Sequence, residues 1–132
     1  MTKINKVVGI GASAGGLRAI SEFFDHISHD TGMSFIVVQH LSQDFKSMMD
    51  ELLQRHTKMP IHIVDKPISI EANTIYLISS LHNVILENKK LIPIKRSDPE
   101  ALNLPIDLFF HSLGKEMKEK TVGIILSGTG SD

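Results

Sequence analysis

Cysteine is absent from all 132 residues, which excludes disulfide staples and any thiolate nucleophile or metal ligand. That absence fits a reducing compartment. Basic blocks are missing too: 14 Lys and Arg stand against 15 Asp and Glu, a formal net charge of −1. Such a balance argues against a nucleic-acid surface. The amino terminus, MTKINKVVGIGAS, lacks the uninterrupted apolar core of a signal peptide, and no run is long enough to insert into a membrane. Internal repeats and low-complexity segments are also absent. What remains is ordinary globular usage, 42% hydrophobic and 22% charged, which predicts one soluble, cytoplasmic domain over residues 1–132.

The apolar runs are short and spaced by helical patterns. Lys6 to Ile10 (KVVGI) reads as a buried parallel strand, and Leu17, Ile20, Phe24 and Ile27 recur at helical spacing, predicting a helix from about Gly15 to His29. Phe35 to Gln39 is a second strand. Ser47 is a plausible N-cap for a helix through Gln54, and Ile61 to Val64 is a third strand. Strand–helix alternation of this kind predicts a parallel sheet with right-handed crossovers. Thr74 to Ile78, Asn83 to Glu87 and Lys90 to Ile94 break the rhythm, and predict an antiparallel hairpin attached to the main sheet with a turn at residues 87–90. A helix opens at Pro105 and carries Ile106, Phe109, Phe110, Leu113 and Met117; Val122 to Leu126 resumes the parallel sheet. The expected fold is α/β: a Rossmann-like, doubly wound, mainly parallel sheet with an antiparallel hairpin, in three layers α/β/α. Because the chain reaches Asp132 on a strand-to-helix turn, the domain is expected to continue beyond it.

Two chemistries compete for residues 9–16, GIGASAGG. Gly9 to Ala14 fits the dinucleotide fingerprint G-x-G-x-x-G/A, and Gly11 to Gly15 fits G-x-S-x-G, the turn that presents a nucleophilic serine. In open parallel sheets, ligands gather at the carboxyl ends of strands. Ser13 follows the first strand, His40 the second and Asp132 the last, which are the residue types of a Ser-His-Asp triad. A serine hydroxyl needs a base as it attacks; neutral imidazole supplies one, and an aspartate on the far ring nitrogen holds its tautomer. Glycines at 11, 15 and 16 permit the tight turn, and the helix behind it aims free N–H groups at the site, with Ala14 N–H the candidate oxyanion donor. Thr129, between Gly128 and Gly130, helps wall the site.

The fingerprint wants an acid at the end of the second strand to hold the ribose hydroxyls. This chain has Gln39-His40 there, so the nucleotide reading loses its discriminating residue. A nucleotide- or anion-binding domain, or a docking domain of a multidomain signalling protein, stays as the non-enzymatic alternative. So do plainer roles: Asp132 as an N-cap, Asp107 as a charge on its helix's first turn, and His82 as a rival base. His26-x-x-His29 has no evident third ligand and H-E-x-x-H does not occur, so neither a metal nor another cofactor is expected.

With these residues placed, the chain resembles the catalytic domain of the CheB family of chemotaxis protein-glutamate methylesterases. The matching pieces are GIGASAGGL at 9–17, VVQHL at 37–41, PIDLFFHSL at 105–113 and GIILSGTGSD at 123–132. The resemblance implies a nucleophile at Ser13, a base at His40 and an aspartate at Asp132. It also implies hydrolysis of glutamate methyl esters on the cytoplasmic helices of chemoreceptors, with glutamine deamidation in some members. Where a small hydroxyl residue often follows the nucleophile, this chain has Ala14. The chain begins close to its first strand, as do members fused ahead of a methyltransferase domain rather than behind a receiver domain. Fused methyltransferase or sensor domains are therefore expected partners.

Overall fold

Six consecutive residues, Val7–Ala12, are buried without alternation, as in a strand covered on both faces. The computed structural model describes residues 4, 6–12, 17–39, 49–78, 83–94, 109, 112–115 and 120–126. In chain order their elements are β1 (Val7–Ala12), α1 (Leu17–Asp25), β2 (Ser34–Gln39), α2 (Met49–Gln54), β3 (Ile61–Ile63), β4 (Ile68–Ser69), β5 (Thr74–Ile78), β6 (Asn83–Glu87), β7 (Lys90–Ile94) and β8 (Thr121–Leu126). Five strands form one sheet in the order β3-β5-β2-β1-β8, every neighbouring pair parallel.

Successive strand residues point to opposite faces, so this sheet sorts its apolar side chains into two cores. Val8, Ile10, Phe35, Val37, Ile75 and Leu77 face α1 and α2, meeting Ile20, Phe24 and Leu53. Both helices lie on this face, because the chain steps the same way across the sheet from β1 to β2 and on to β3. Phe23, Phe24 and Phe35 pack edge to face here, with centroids 5.0 to 6.1 Å apart. Each fully buried side chain of this size contributes about 1.5–3 kcal/mol. Val7, Ile36, Val38, Tyr76 and Ile78 face the other way, onto Val84, Leu86, Leu91, Phe109 and Leu113.

That second layer corrects one expectation. The hairpin β6–β7 is not an extension of the main sheet; it joins β4 in a separate three-stranded sheet, order β4-β7-β6, packed face-on against the parallel one. The third layer is therefore built by this small sheet together with Phe109 and the helical residues 112–115. Thr74–Ile78, read from its spacing as part of the hairpin group, is instead a parallel strand inserted between β2 and β3. The 87–90 turn is where it was expected, with Asn88 and Lys89 at φ 52° and 59°. Positive φ at both central residues is what a tight two-residue hairpin requires. Pro93 is accommodated because β4 pairs only with Leu91 and Lys90, leaving Pro93's missing N–H unneeded on that side. β1 spans Val7–Ala12 where its apolar run suggests Lys6 to Ile10, and β8 ends at Leu126 as expected but begins one residue earlier, at Thr121.

Candidate active site

The strands place three chain ends in one row. β1 lies between β2 and β8, and Ala12 is the register partner of both Gln39 and Leu126. All three strands are parallel, so they terminate level with one another at the carboxyl edge. Neighbouring strands in a sheet lie about 4.8 Å apart, so this row spans about 10 Å. From β1 the chain moves to β2 on one side, whereas β8 is added on the other. The gap between β1 and β8 is thus a topological switch point, where open α/β sheets bind ligands outside the carboxyl ends.

Ser13 and His40 are the next residues in the chain after Ala12 and Gln39, and Asp132 comes six residues after Leu126. All three lie outside the described residues, as do Ala14, Gly15 and Thr129. The structure therefore brings together the strand ends that carry the expected triad, and the side-chain geometry of the triad is not part of it. His82 and His111 also lie outside the described residues.

The remaining histidines have places of their own. His26 Nδ1 lies 2.8 Å from the Glu22 carbonyl oxygen, so it donates there at the carboxyl end of α1. His56 Nδ1 donates to Asp25 Oδ1 at 2.8 Å, bridging the ends of α2 and α1. His62 stacks on Tyr76 with centroids 5.8 Å apart. Among the described residues, no three His, Cys, Asp or Glu side chains are grouped to hold a metal ion. An open cleft of about 410 Å³ lies between the ends of α1 and α2, with Phe24, Ile27, Asp25, His29, Arg55 and Lys58 in its wall. Helices in such units run back against the strands, so this cleft sits at the amino edge, remote from the row of strand ends. Nearby, the Ser28 hydroxyl donates to Asp30 and holds that carboxyl below the usual carboxylate range.

Sequence reasoning missed two polar anchors behind the carboxyl edge. Burial pushes the Tyr76 phenol above its ordinary value, and its hydroxyl accepts the Glu71 N–H at 2.8 Å and donates to the Ser69 carbonyl at 3.2 Å. Ser112 Oγ accepts the Leu86 N–H at 3.1 Å and donates to the Phe109 carbonyl at 2.7 Å. Neither follows from periodicity. The Ser112–Leu86 bond joins residues 26 apart in the chain, which only tertiary packing brings together.

Comparison with known proteins agrees with this architecture. The family model described as CheB methylesterase matches residues 8–132. A protein-glutamate methylesterase/protein-glutamine glutaminase of Burkholderia pseudomallei strain 1710b is 28% identical over 127 residues, covering 96% of this chain and 37% of that protein. One from Mesorhizobium japonicum is 28% identical over 128 residues, covering 96% of this chain and 38% of that protein. The chain thus spans less than two fifths of the length of these relatives. An uncharacterised 104.1 kDa protein of Rhodobacter capsulatus is 40% identical over 84 residues, covering 64% of this chain and 9% of that protein. In fold, the chain is similar to the crystal structure of the Thermotoga maritima CheB methylesterase catalytic domain, with a TM-score of 0.83 and 23% identity, covering 97% of this chain and 70% of that one.

Proposed function

This chain belongs to the CheB methylesterase family, and on that premise we propose that it hydrolyses glutamate methyl esters on chemoreceptor proteins through Ser13, His40 and Asp132. One observation supports the reading: the carboxyl ends of β2, β1 and β8 lie level at a switch point, and in the sequence His40 and Ser13 come next after β2 and β1 while Asp132 comes six residues after β8. A serine, a histidine and an aspartate that follow these strands in the sequence have the composition for acyl transfer. The missing acid after β2, where Gln39-His40 stands, weighs against a nucleotide in the same place.

In this mechanism His40 takes the Ser13 proton as Oγ attacks the ester carbonyl. The tetrahedral oxyanion is received by the Ala14 N–H at the entry to α1, aided by the positive end of the helix dipole. Collapse breaks the carbonyl–methoxy bond, and His40 returns the proton so that methanol leaves. Water, deprotonated by His40, then attacks the acyl-serine; Ser13 regains its proton and the glutamate carboxylate departs. Asp132 holds the imidazole and stabilises its cation, while Gly15 and Thr129 border the substrate. The same cycle deamidates glutamine, ammonia replacing methanol as the leaving group, and the names of the Burkholderia and Mesorhizobium relatives support that second activity.

The substrate is a methylated helix in the cytoplasmic part of a chemoreceptor, which places the enzyme in the cytoplasm. No helix among the described residues is long and apolar enough to cross a membrane. The partners proposed beside the receptor are fused methyltransferase or sensor domains. The test is methanol release from methyl-labelled receptor by the full-length protein. Ser13→Ala should lower release by at least ~10³-fold. Equal release from variant and wild type removes the nucleophile assignment, and with it the reaction.

A further inference from the structure

The cleft between the ends of α1 and α2 carries positive charge that has no partner among the described residues. Arg55 and Lys58 are exposed in its wall, and neither side chain makes a hydrogen bond or an ion pair there. The acid in the same wall, Asp25, is taken by His56 Nδ1 at 2.8 Å. Helix-end carbonyls do not claim the two cations either. The Phe23 and Phe24 carbonyls accept the N–H groups of His26 and Ile27, and those of Leu52 and Leu53 accept the N–H groups of Arg55 and His56. Gln54 Nε2 donates to the carbonyls of Thr57 and Met59, at 3.0 Å each, and the Thr57 hydroxyl accepts the Met59 N–H at 3.1 Å. Lys58 therefore stands on a turn that is fastened on both sides of it. Two cations thus share one wall with the half-buried Ile27, in a molecule whose formal net charge is −1.

We propose that this cleft binds the phosphate group of a small phosphorylated molecule, Arg55 and Lys58 meeting the phosphate and Ile27 meeting an apolar part. A phosphate group carries about −1.5 to −2 at neutral pH, which matches two cations, whereas a carboxylate would leave one over. Arg offers a planar fork to two phosphate oxygens, and Lys a point charge to a third. The volume of about 410 Å³ falls in the range of small-ligand sites, about 300–1,000 Å³. Residues 55–58 precede β3 and residues 24–29 precede β2, so the cleft lies at the amino edge. The length of a six-residue strand, ~20 Å, separates it from the ends of β1 and β2. The inference goes beyond the ester-hydrolase reading and does not rest on it.

The experiment is calorimetric titration of the full-length protein, at constant ionic strength, with inorganic phosphate and with phenyl phosphate. Both should bind, and phenyl phosphate more tightly because its ring covers Ile27. Benzoate, with one charge, should bind at least ~10-fold more weakly than phenyl phosphate. Arg55→Gln and Lys58→Gln should each weaken phenyl phosphate binding ~10-fold or more. Both side chains are exposed, so the fold survives either change. Lys90→Gln removes an exposed cation from the hairpin, on the opposite layer, and should leave binding unchanged. Failure of both probes to bind overturns the proposal. An equal loss in Lys90→Gln and Arg55→Gln does so too, since it means diffuse charge attraction without a site. Benzoate binding as tightly as phenyl phosphate overturns the phosphate assignment. Ser13→Ala should titrate like the wild type, so a failed hydrolase assignment and a failed phosphate site give different results.

Discussion

Ser34 begins β2 with a side chain that is 0% exposed and whose hydroxyl finds no hydrogen-bond partner among the described residues. Its backbone N–H is satisfied by the Lys6 carbonyl at 3.0 Å, so the cost lies in the side chain alone. An unpartnered buried hydroxyl costs about 1–3 kcal/mol, and removing it leaves only a small volume unfilled. Ser34→Ala should therefore stabilise the protein by about 1 kcal/mol, seen as a higher urea midpoint with an unchanged m-value. Histidines make the opposite point at this scale. Seven occur in the sequence, and the sequence alone does not say which carries chemistry. His26 and His56 are bonded at helix ends on the far side of the sheet and His62 is stacked on Tyr76, which removes three competitors from the search for a base.

Among the elements, the hairpin is the most legible and also the most strained. Its strands, Asn83–Glu87 and Lys90–Ile94, have the bounds that their apolar runs predict. Asn88 tolerates the left-handed region because an asparagine's short polar side chain can bond locally; Lys89, at φ 59°, has no such advantage. Lys89→Gly creates the preferred Asn-Gly turn and should raise stability by about 0.5–1 kcal/mol, measured by thermal or urea unfolding. The placement of this hairpin was not legible. Its strands are adjacent in sequence to β5, which favours one continuous sheet, yet burying Val84, Leu86 and Leu91 against Ile36, Val38 and Ile78 requires face-on packing. β4 escaped notice for a simpler reason: two residues, Ile68–Ser69, are too few to show any period.

At the scale of the whole molecule, Tyr76 couples the layers, since it belongs to the parallel sheet and its hydroxyl bonds at residues 69 and 71, on β4 and just after it. Burial raises its pKa above the ordinary 10.0. The neutral phenol is therefore favoured by folding, and its contribution is fully present below pH 10. As pH rises past 10 the unfolded chain ionises first, so stability falls until the folded phenol ionises as well. Tyr76→Phe lacks this dependence. It should be less stable than wild type by about 1–2 kcal/mol at pH 8, with the difference narrowing toward pH 11 in urea titrations.

The alternation of apolar runs with helical spacing was enough to read a mainly parallel α/β sheet from residues 1–64, because period and run length are local properties that burial on both faces imposes on each strand. The motifs at 9–17, 37–41, 105–113 and 123–132 likewise identified the family, since their residue types are demanded by turns and chemistry within each segment. Strand order is different in kind. That β1 sits between β2 and β8, with Ala12, Gln39 and Leu126 in one row, and that Ser112 meets Leu86, depend on contacts between segments far apart in the chain. Such contacts are chosen by how two cores fill on opposite faces of one sheet, and no local pattern encodes that choice.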